Sequence, residues 1–498
     1  MNVLLLSMPD SFEHMAPVAV RMPNGALTSI AGNIDPHHRV AVADLILAQG
    51  RVTATLDRLL AEHRPDVVGL SVMTFQRRTA LRLIARIRQQ RPSISIVAGG
   101  YDPSLASDAY AGAADFIVRG EGEITFRELL RALERGGGFA DIAGLGFRDV
   151  DGGFRHAPDR PVSSLDEAAI APPRRDARVL TGYTLLGRPV DVVETSRGCT
   201  FDCSFCSIIE MRGRNFHTYD FERILADIRD CRDRGARAIF IVDDNITLDV
   251  RRFAALCAAI TTAGLSDLEY SVQATTASIA DHGATLAPLM RQAGFRYVFL
   301  GIENVLDDDL GFLKASAKNT KHGPGGRRAG NASLTAIQHL HDHDMFVVGG
   351  LIVGNPGDTR DAIEANLAFA RRYVDGPYIQ HPPPYPGTPM TTDLRARGLV
   401  INDRLEEYDG TTAVVRSEAV PAEEIEFLRW RAERWIKLRH FPKALRHSPL
   451  FCLRHGPAMI RHVFRGSSPR TWFARDPARA AFARYRQHRA AEREQVLQ

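Results

Sequence analysis

A chain of 498 residues, with 45% hydrophobic and 24% charged side chains, has room for two or three domains that each bury a core. No apolar run approaches the roughly 18–20 residues that cross a bilayer, which excludes a helical membrane protein, and six cysteines in so long a chain exclude a disulfide scaffold. The formal charge of +4 is unevenly placed: residues 427–498 carry 17 Lys and Arg against 4 Asp and Glu, a net +13 that leaves −9 for the rest.

The start, "MNVLLLSMPDSFEHM", has no basic n-region and no small-residue cleavage site, so no signal peptide is expected. The expected compartment is cytoplasmic and reducing. "NVLLLSM", "VAVADLIL", "VVGLSVM", "SISIVAGG" and "FIVRG" are short, β-branched-rich runs flanked by turn residues. Amphipathic stretches such as "RRTALRLIARIRQQ" separate most of them. Strands alternating with helices predict a doubly wound, Rossmann-like α/β domain over residues 1–150. Such sheets bind ligands beyond the carboxyl ends of their strands.

Residues 151–189 change character. "DGGFRHAPDRPVSSLDEAAIAPPRRDAR" is rich in Pro, Gly, Asp and Arg and reads as a linker or strap. The alternation then resumes in "VDVVETS", "AIFIVDD", "LEYSVQA", "YVFLGIE", "FVVGGLIVG" and "GPYIQ". Six β/α units over 190–390 predict a partial (β/α)6 barrel with functional residues at the strand carboxyl ends. "KNTKHGPGGRRAGN" reads as a mobile loop and "HPPPYPGTPM" as an irregular segment closing one barrel edge. Residues 391–498 form a basic, helical C-terminal region.

Just after the first barrel strand, "SRGCTFDCSFCS" sets Cys199, Cys203 and Cys206 within eight residues. Clustered thiols in a reducing compartment point to metal. A structural zinc site wants four ligands, commonly two separated pairs, and no partner pair is found. Cys231, Cys257 and Cys452 are scattered along helical patterns and read as small apolar fillers. An iron–sulfur cubane held by three thiolates leaves one iron open to an outside ligand.

Cys199-x-x-x-Cys203-x-x-Cys206, with Phe205 and a six-unit β/α core, resembles the radical S-adenosylmethionine (SAM) superfamily. The resemblance implies a 4Fe-4S cluster on those three cysteines, with SAM chelating the open iron. In that family a 5′-deoxyadenosyl radical then abstracts hydrogen from unreactive carbon. By the same resemblance, Phe205, Asp243, Asp244, Asn245, Gln273 and Glu303 contact SAM. Helix capping is the competing role for the aspartates, and structural hydrogen bonding for Gln273 and Glu303. "GGLIVGNPGDT" is similar to the family's segment beside adenine, through Gly350, Ile352 and Gly354. Missing side chains there let backbone approach a flat ring. Asp358 stands where many relatives have glutamate.

The amino-terminal domain carries a second resemblance. Ser71-x-Met73-Thr74 ends its third strand and Gly99-Gly100 its fourth, and "VRGEGE" follows with Gly120, Glu121, Gly122 and Glu123. In that order they resemble the elements of cobalamin-binding domains that precede a radical SAM core. The usual Asp-x-His-x-x-Gly motif is missing: Asp10 and His14 are four apart, and the histidines of "DPHHRV" read as surface or loop residues. The resemblance thus implies cobalamin without a histidine ligand on its lower face, with loss of cobalamin as the alternative.

All three tryptophans, Trp430, Trp435 and Trp472, lie in the tail, where Arg-His recurs from Arg439, Arg446, Arg454 and Arg461. Basic amphipathic pieces suit peripheral contact with an anionic membrane; a helical cap with a solvated basic face is the alternative. No base-reading module for nucleic acid is seen. Together the resemblances imply a cobalamin-dependent radical SAM C-methyltransferase. It would act on a small-molecule or lipid substrate and take electrons from a flavodoxin- or ferredoxin-type donor. An oxidative cyclase without methyl transfer, of the tetrapyrrole type, and a cobalamin- or redox-sensing binding protein are the other readings.

Overall fold

A computed structural model describes the chain except residues 13–15, 17, 150, 163–164, 166–169, 324, 326 and 465–474, and the side chains of 475–477. His14 and Trp472 therefore lie outside the described residues.

The first strands are apolar because both of their faces are covered. Arg39–Asp44, Asn2–Ser7, Val67–Ser71, Ser95–Gly99 and Phe116–Val118 lie parallel in that spatial order. One face packs on helices Val52–His63 and Arg77–Gln90 through Leu56, Leu59, Leu83 and Ile87. The other packs on helices Gly25–Gly32 and Gly122–Arg135 through Leu27, Phe126, Leu129 and Leu130. This is the expected doubly wound domain, and its strand order reverses between the first and third strands. Two strands go beyond expectation: Leu145–Arg148 and Phe154–His156 add an antiparallel hairpin to the sheet edge.

The second sheet holds six parallel strands in chain order: Arg188–Val193, Ala238–Ile241, Glu269–Thr275, Phe295–Glu303, Phe346–Ile352 and Gly376–Gln380. It curls through 244°, a partial barrel. Its first edge is extended by two short antiparallel strands, Thr184–Leu185 and then Val20–Arg21. A piece of the amino-terminal segment thus completes the barrel's sheet.

Part of the expected linker is firmly packed. Arg174 N–H bonds the Thr28 carbonyl and Val179 N–H the Val42 carbonyl. The buried guanidinium of Arg175 meets Asp227 at 2.5 Å and that of Arg178 meets Asp191 at 2.7 Å. Asp191 and Asp227 belong to the barrel, so this segment bolts the two domains together. The stretch read as a mobile loop also contains order: Thr320–His322 pairs antiparallel with Arg328–Asn331.

Helix Ala422–Arg439 packs along helix Arg360–Tyr373 and the last barrel strand. The final helix, Arg475–Glu494, lies on it through Phe482 and Tyr485 against Phe427 and Trp430. No helix among the described residues is long and apolar enough to cross a membrane.

Candidate functional site

The first barrel strand ends at Val193 and runs into the cysteine loop. Ser196–Arg197 pairs with His217–Thr218, which closes the loop into a small hairpin-based enclosure. Gly198 has φ +89°, and a Cβ there would stand 2.3 Å from the Asn215 side chain. Only glycine fits before Cys199. Ser204 is pinned by its N–H to the Leu313 carbonyl and by its hydroxyl to the Phe312 carbonyl. Cys206 then caps the short helix Ser207–Arg212.

All three cysteines are free thiols, and Cys203 is buried. Burial pushes the Cys203 and Cys206 thiols up, Cys206 to about 12. Among the described residues, only His37, His38 and Glu134 bring three ligand atoms within 4.8 Å of one another. Cys199, Cys203 and Cys206 are carried on one short loop. The donor set fits a three-thiolate iron–sulfur group.

The aspartates after the second strand brace this loop. Asp243 accepts from the Thr195 N–H at 2.6 Å, from the Ser196 hydroxyl at 2.6 Å and from the Thr195 hydroxyl. Burial pushes its carboxyl up to about 6 despite those bonds. Both of its oxygens are thus engaged by donors of the segment that leads into the cysteine loop. Asp244 accepts from Gly198 N–H at 2.8 Å and from Arg212 at 3.1 Å. Asn245 caps its own turn through Thr247. Gln273 is half-buried in the third barrel strand, and its side chain makes no hydrogen bond among the described residues.

Glu303 ends the fourth strand with φ +57°. It accepts from the Lys318 ammonium at 2.5 Å, and Lys318 lies 5.4 Å from the centre of the Phe205 ring. Burial disfavours the Lys318 cation, but Glu303 outweighs it and raises its pKa. A half-buried cation thus stands beside Cys203 and Cys206. Lys318 went unrecognised in the sequence because it opens the glycine-rich stretch read as a loop.

The glycines at the end of the fifth barrel strand are closely packed. The face of Gly350 without a side chain is filled by Phe299, and that of Gly354 by Ile425 of the C-terminal region. Ile352 is buried among Leu310, Leu394 and Val414. Added side chains at Gly350 and Gly354 would collide with these neighbours.

The amino-terminal elements meet the cysteine loop across a cavity of about 340 Å³. Ser71, Met73, Gly99, Gly100, Gly120, Glu121, Gly122 and Glu123 line it; Thr74 is buried outside it. Gly100 has φ +100°, and a Cβ would meet the Val72 backbone at 2.8 Å. Gly99, Gly100 and Gly120 put backbone on this wall, which suits a flat macrocycle. No histidine lines the cavity among the described residues. The histidines of "DPHHRV" lie in a loop as expected, His37 exposed and His38 buried near the amino terminus.

The opposite wall comes from the barrel: Glu194, Arg197, Met211, Arg212 and Tyr219. Arg197 bonds Glu123 at 2.6 Å and Glu194 at 2.7 Å. Tyr101, directly after Gly100, also lines the cavity, and its helix packs on the one that follows Cys206. Sequence reasoning missed Tyr101, Arg197 and Arg212. Their one signal is adjacency to the motifs.

Two family models match: B12 binding domain at residues 15–130 and Radical SAM superfamily at residues 193–370. An uncharacterised methyltransferase of Pyrococcus horikoshii is 27% identical over 94% of this chain and 98% of its own length. The hopanoid C-3 methylase of Methylococcus capsulatus is 27% identical over 70% of this chain and 64% of its own. Among solved structures, the cobalamin-dependent SAM radical enzyme OxsB, with aqua-cobalamin and SAM bound, shares the fold. It has TM-score 0.64 and 16% identity, covering 99% of this chain and 72% of that one.

Proposed function

We propose that this chain, which belongs to the B12-binding radical SAM enzymes, is a C-methyltransferase for an unactivated carbon of a small-molecule or lipid substrate. One observation carries the reading. The glycine-rich strand ends of the amino-terminal domain and the residues flanking the cysteine loop line a single cavity. A cobalamin-type wall set against the segments on both sides of the cysteine loop suits a reaction in which one cofactor opens a carbon–hydrogen bond and the other supplies the new methyl group.

When bound, the cluster with SAM supplies hydrogen abstraction, and cobalamin supplies a transferable methyl group. Cys199, Cys203 and Cys206 would hold the cluster, and Gly198 with Asp244 fixes their loop. Lys318, half-buried and oriented by Glu303, places a positive charge for a carboxylate beside the cysteines. Phe205 and the hydrophobic cluster of Leu310, Leu313 and Met390 keep water from that side. Gly99, Gly100 and Gly120 would lie against the macrocycle, and Tyr101 lines the same cavity beside them. A flavodoxin- or ferredoxin-type protein would deliver the electron.

Anaerobic incubation of reconstituted protein with dithionite and SAM tests the reading. Release of 5′-deoxyadenosine and, with added hydroxocobalamin, formation of methylcobalamin are expected. Deoxyadenosine without methylcobalamin would favour the cyclase reading. Neither product, from protein with an intact cluster, would leave a sensor.

A further inference from the structure

The C-terminal region offers a surface that the catalytic reading does not use. Nine large apolar side chains stand exposed among the described residues, and six of them fall within residues 438–460. Leu450, Leu453 and Ile460 are the most open, at 81%, 74% and 57% exposed. Monomeric proteins seldom leave such a cluster in water without a use for it.

Helical geometry explains the pattern. In helix Pro449–Val463, positions 450, 453, 454, 457, 460 and 461 share one face. All six are exposed. The opposite face anchors the helix: Phe451 is buried, and Cys452 and Met459 pack with it on Ala16, Ala19 and Leu186. The outward face is therefore not a surplus of the inward one. It alternates leucine and isoleucine with Arg454 and Arg461. The preceding segment continues it through Leu438, Phe441 and Leu445, beside Arg439 and Arg446.

Charge identifies the occupant. No Asp or Glu occurs from residue 434 to residue 475. Arg439, Arg454 and Arg461 have no ion pair among the described residues. We propose that this face docks on a lipid bilayer surface carrying anionic headgroups. Leucines there would sink to the acyl boundary while arginines meet phosphates. A second copy of the chain is the poorer fit, because self-pairing would set two carboxylate-free cationic patches against each other.

The surface lies at the amino ends of the barrel strands. Ser448, just before the helix, bonds the Tyr297 hydroxyl at 2.9 Å and accepts from Arg188 at 3.2 Å. Both partners sit near the starts of their strands, away from the cysteine loop. Docking would hold the enzyme at a membrane without covering its cavity.

Sedimentation of the full-length, cluster-loaded protein with vesicles tests this. The probes are phosphatidylcholine vesicles with and without phosphatidylserine. Binding to the anionic vesicles alone is expected. Each basic side chain near such a surface contributes about fivefold, so Arg454→Glu with Arg461→Glu should weaken partition by about thirtyfold or more. Leu450→Ser with Leu453→Ser should weaken it at least about tenfold. These are exposed positions, and deoxyadenosine release should stay at the parent level, which separates this test from that of the catalytic reading. Equal binding by parent and both variants, or no binding by the parent, would overturn the proposal. So would self-association, without lipid binding, that the leucine substitutions abolish.

Discussion

Arg197 reaches across the seam between the two domains and donates to Glu123, Nη2 to Oε1 at 2.6 Å, with both side chains nearly out of water. Glu123 belongs to the amino-terminal domain, and Arg197 stands two residues before the first cysteine. Ser29 completes the arrangement by donating to the same Glu123 oxygen at 2.7 Å. The bond ties one wall of the cavity to the other.

Burial by itself would raise the Glu123 carboxyl, but Arg197 and Ser29 outweigh it and bring it down to about 2, from 4.5. A folded-state value below the unfolded one stabilises fully above about pH 4.5, and that stabilisation is lost as pH falls toward 2. Glu123→Gln keeps the shape and removes the charge. At pH 7 it should cost about 3 kcal/mol, since Arg197 keeps Glu194 but loses its most buried partner. Thermal midpoints of parent and variant should converge as pH is lowered below 4.5. A gap that stays constant through that range would show that this carboxylate is not the source.

Cys203→Ala should abolish cluster assembly, read as iron content and visible absorbance of protein reconstituted without oxygen. Cys231→Ala and Cys257→Ala should retain iron. Those two thiols are buried in the barrel's main apolar cluster, on helices Phe221–Asp233 and Val250–Thr262. Iron at the parent level in Cys203→Ala would dismiss the three-thiolate site.

Much of this was legible in the sequence for a physical reason. Parallel strands covered on both faces read as unbroken apolar runs, and the cysteine spacing is local. The hairpin of Leu145–Arg148 and Phe154–His156 was not, because half of its residues face water and break the run. Asp243 illustrates a subtler limit. Its position at the strand end was foreseen, but the direction of its side chain depends on Thr195 and Ser196, which arrive from another element. Tyr101, Arg197 and Arg212 matter through contact between domains, which no local period encodes.

Lys318 is the case where such a missed residue makes the sharpest claim. If it receives the carboxylate of SAM, Lys318→Met should leave iron content unchanged. SAM affinity should fall about tenfold to a hundredfold, the value of one charged hydrogen bond. Lys318→Arg should restore part of it. Anaerobic calorimetric titration reads this directly, and parent-like affinity in Lys318→Met would refute the role.

Gly100→Ala should destabilise the amino-terminal domain by about 2–4 kcal/mol. The φ of +100° carries a left-handed penalty of about 1–2 kcal/mol, and the added methyl would overlap the Val72 carbonyl at 2.8 Å. Gly112→Ala is the control, since nothing lies within 4 Å of its Cβ position. Thermal unfolding separates the two. The same variant should bind cobalamin less well in an absorbance titration, because Gly100 is part of the wall.

The last helix answers the negative charge of the body. Asp409 is buried and accepts from Arg489 and, at 2.9 Å, from Arg493. Arg479 pairs with Glu424, and Glu494 reaches Arg78 of the amino-terminal domain at 2.7 Å. Burial would push the Asp409 carboxyl up, yet the two arginines hold it well below the usual carboxylate range. Removing the helix strips a buried carboxylate of its cations. Asp409→Asn should therefore cost about 3–5 kcal/mol at neutral pH, since the buried Arg489 and the half-buried Arg493 lose their shared anion. The loss should shrink as pH falls below the ordinary Asp value of 3.8. Arg454→Glu with Arg461→Glu, whose side chains stand in water, should leave the unfolding midpoint unchanged. A midpoint shift of equal size in both variants would mean that the two stretches of basic tail do not differ in role.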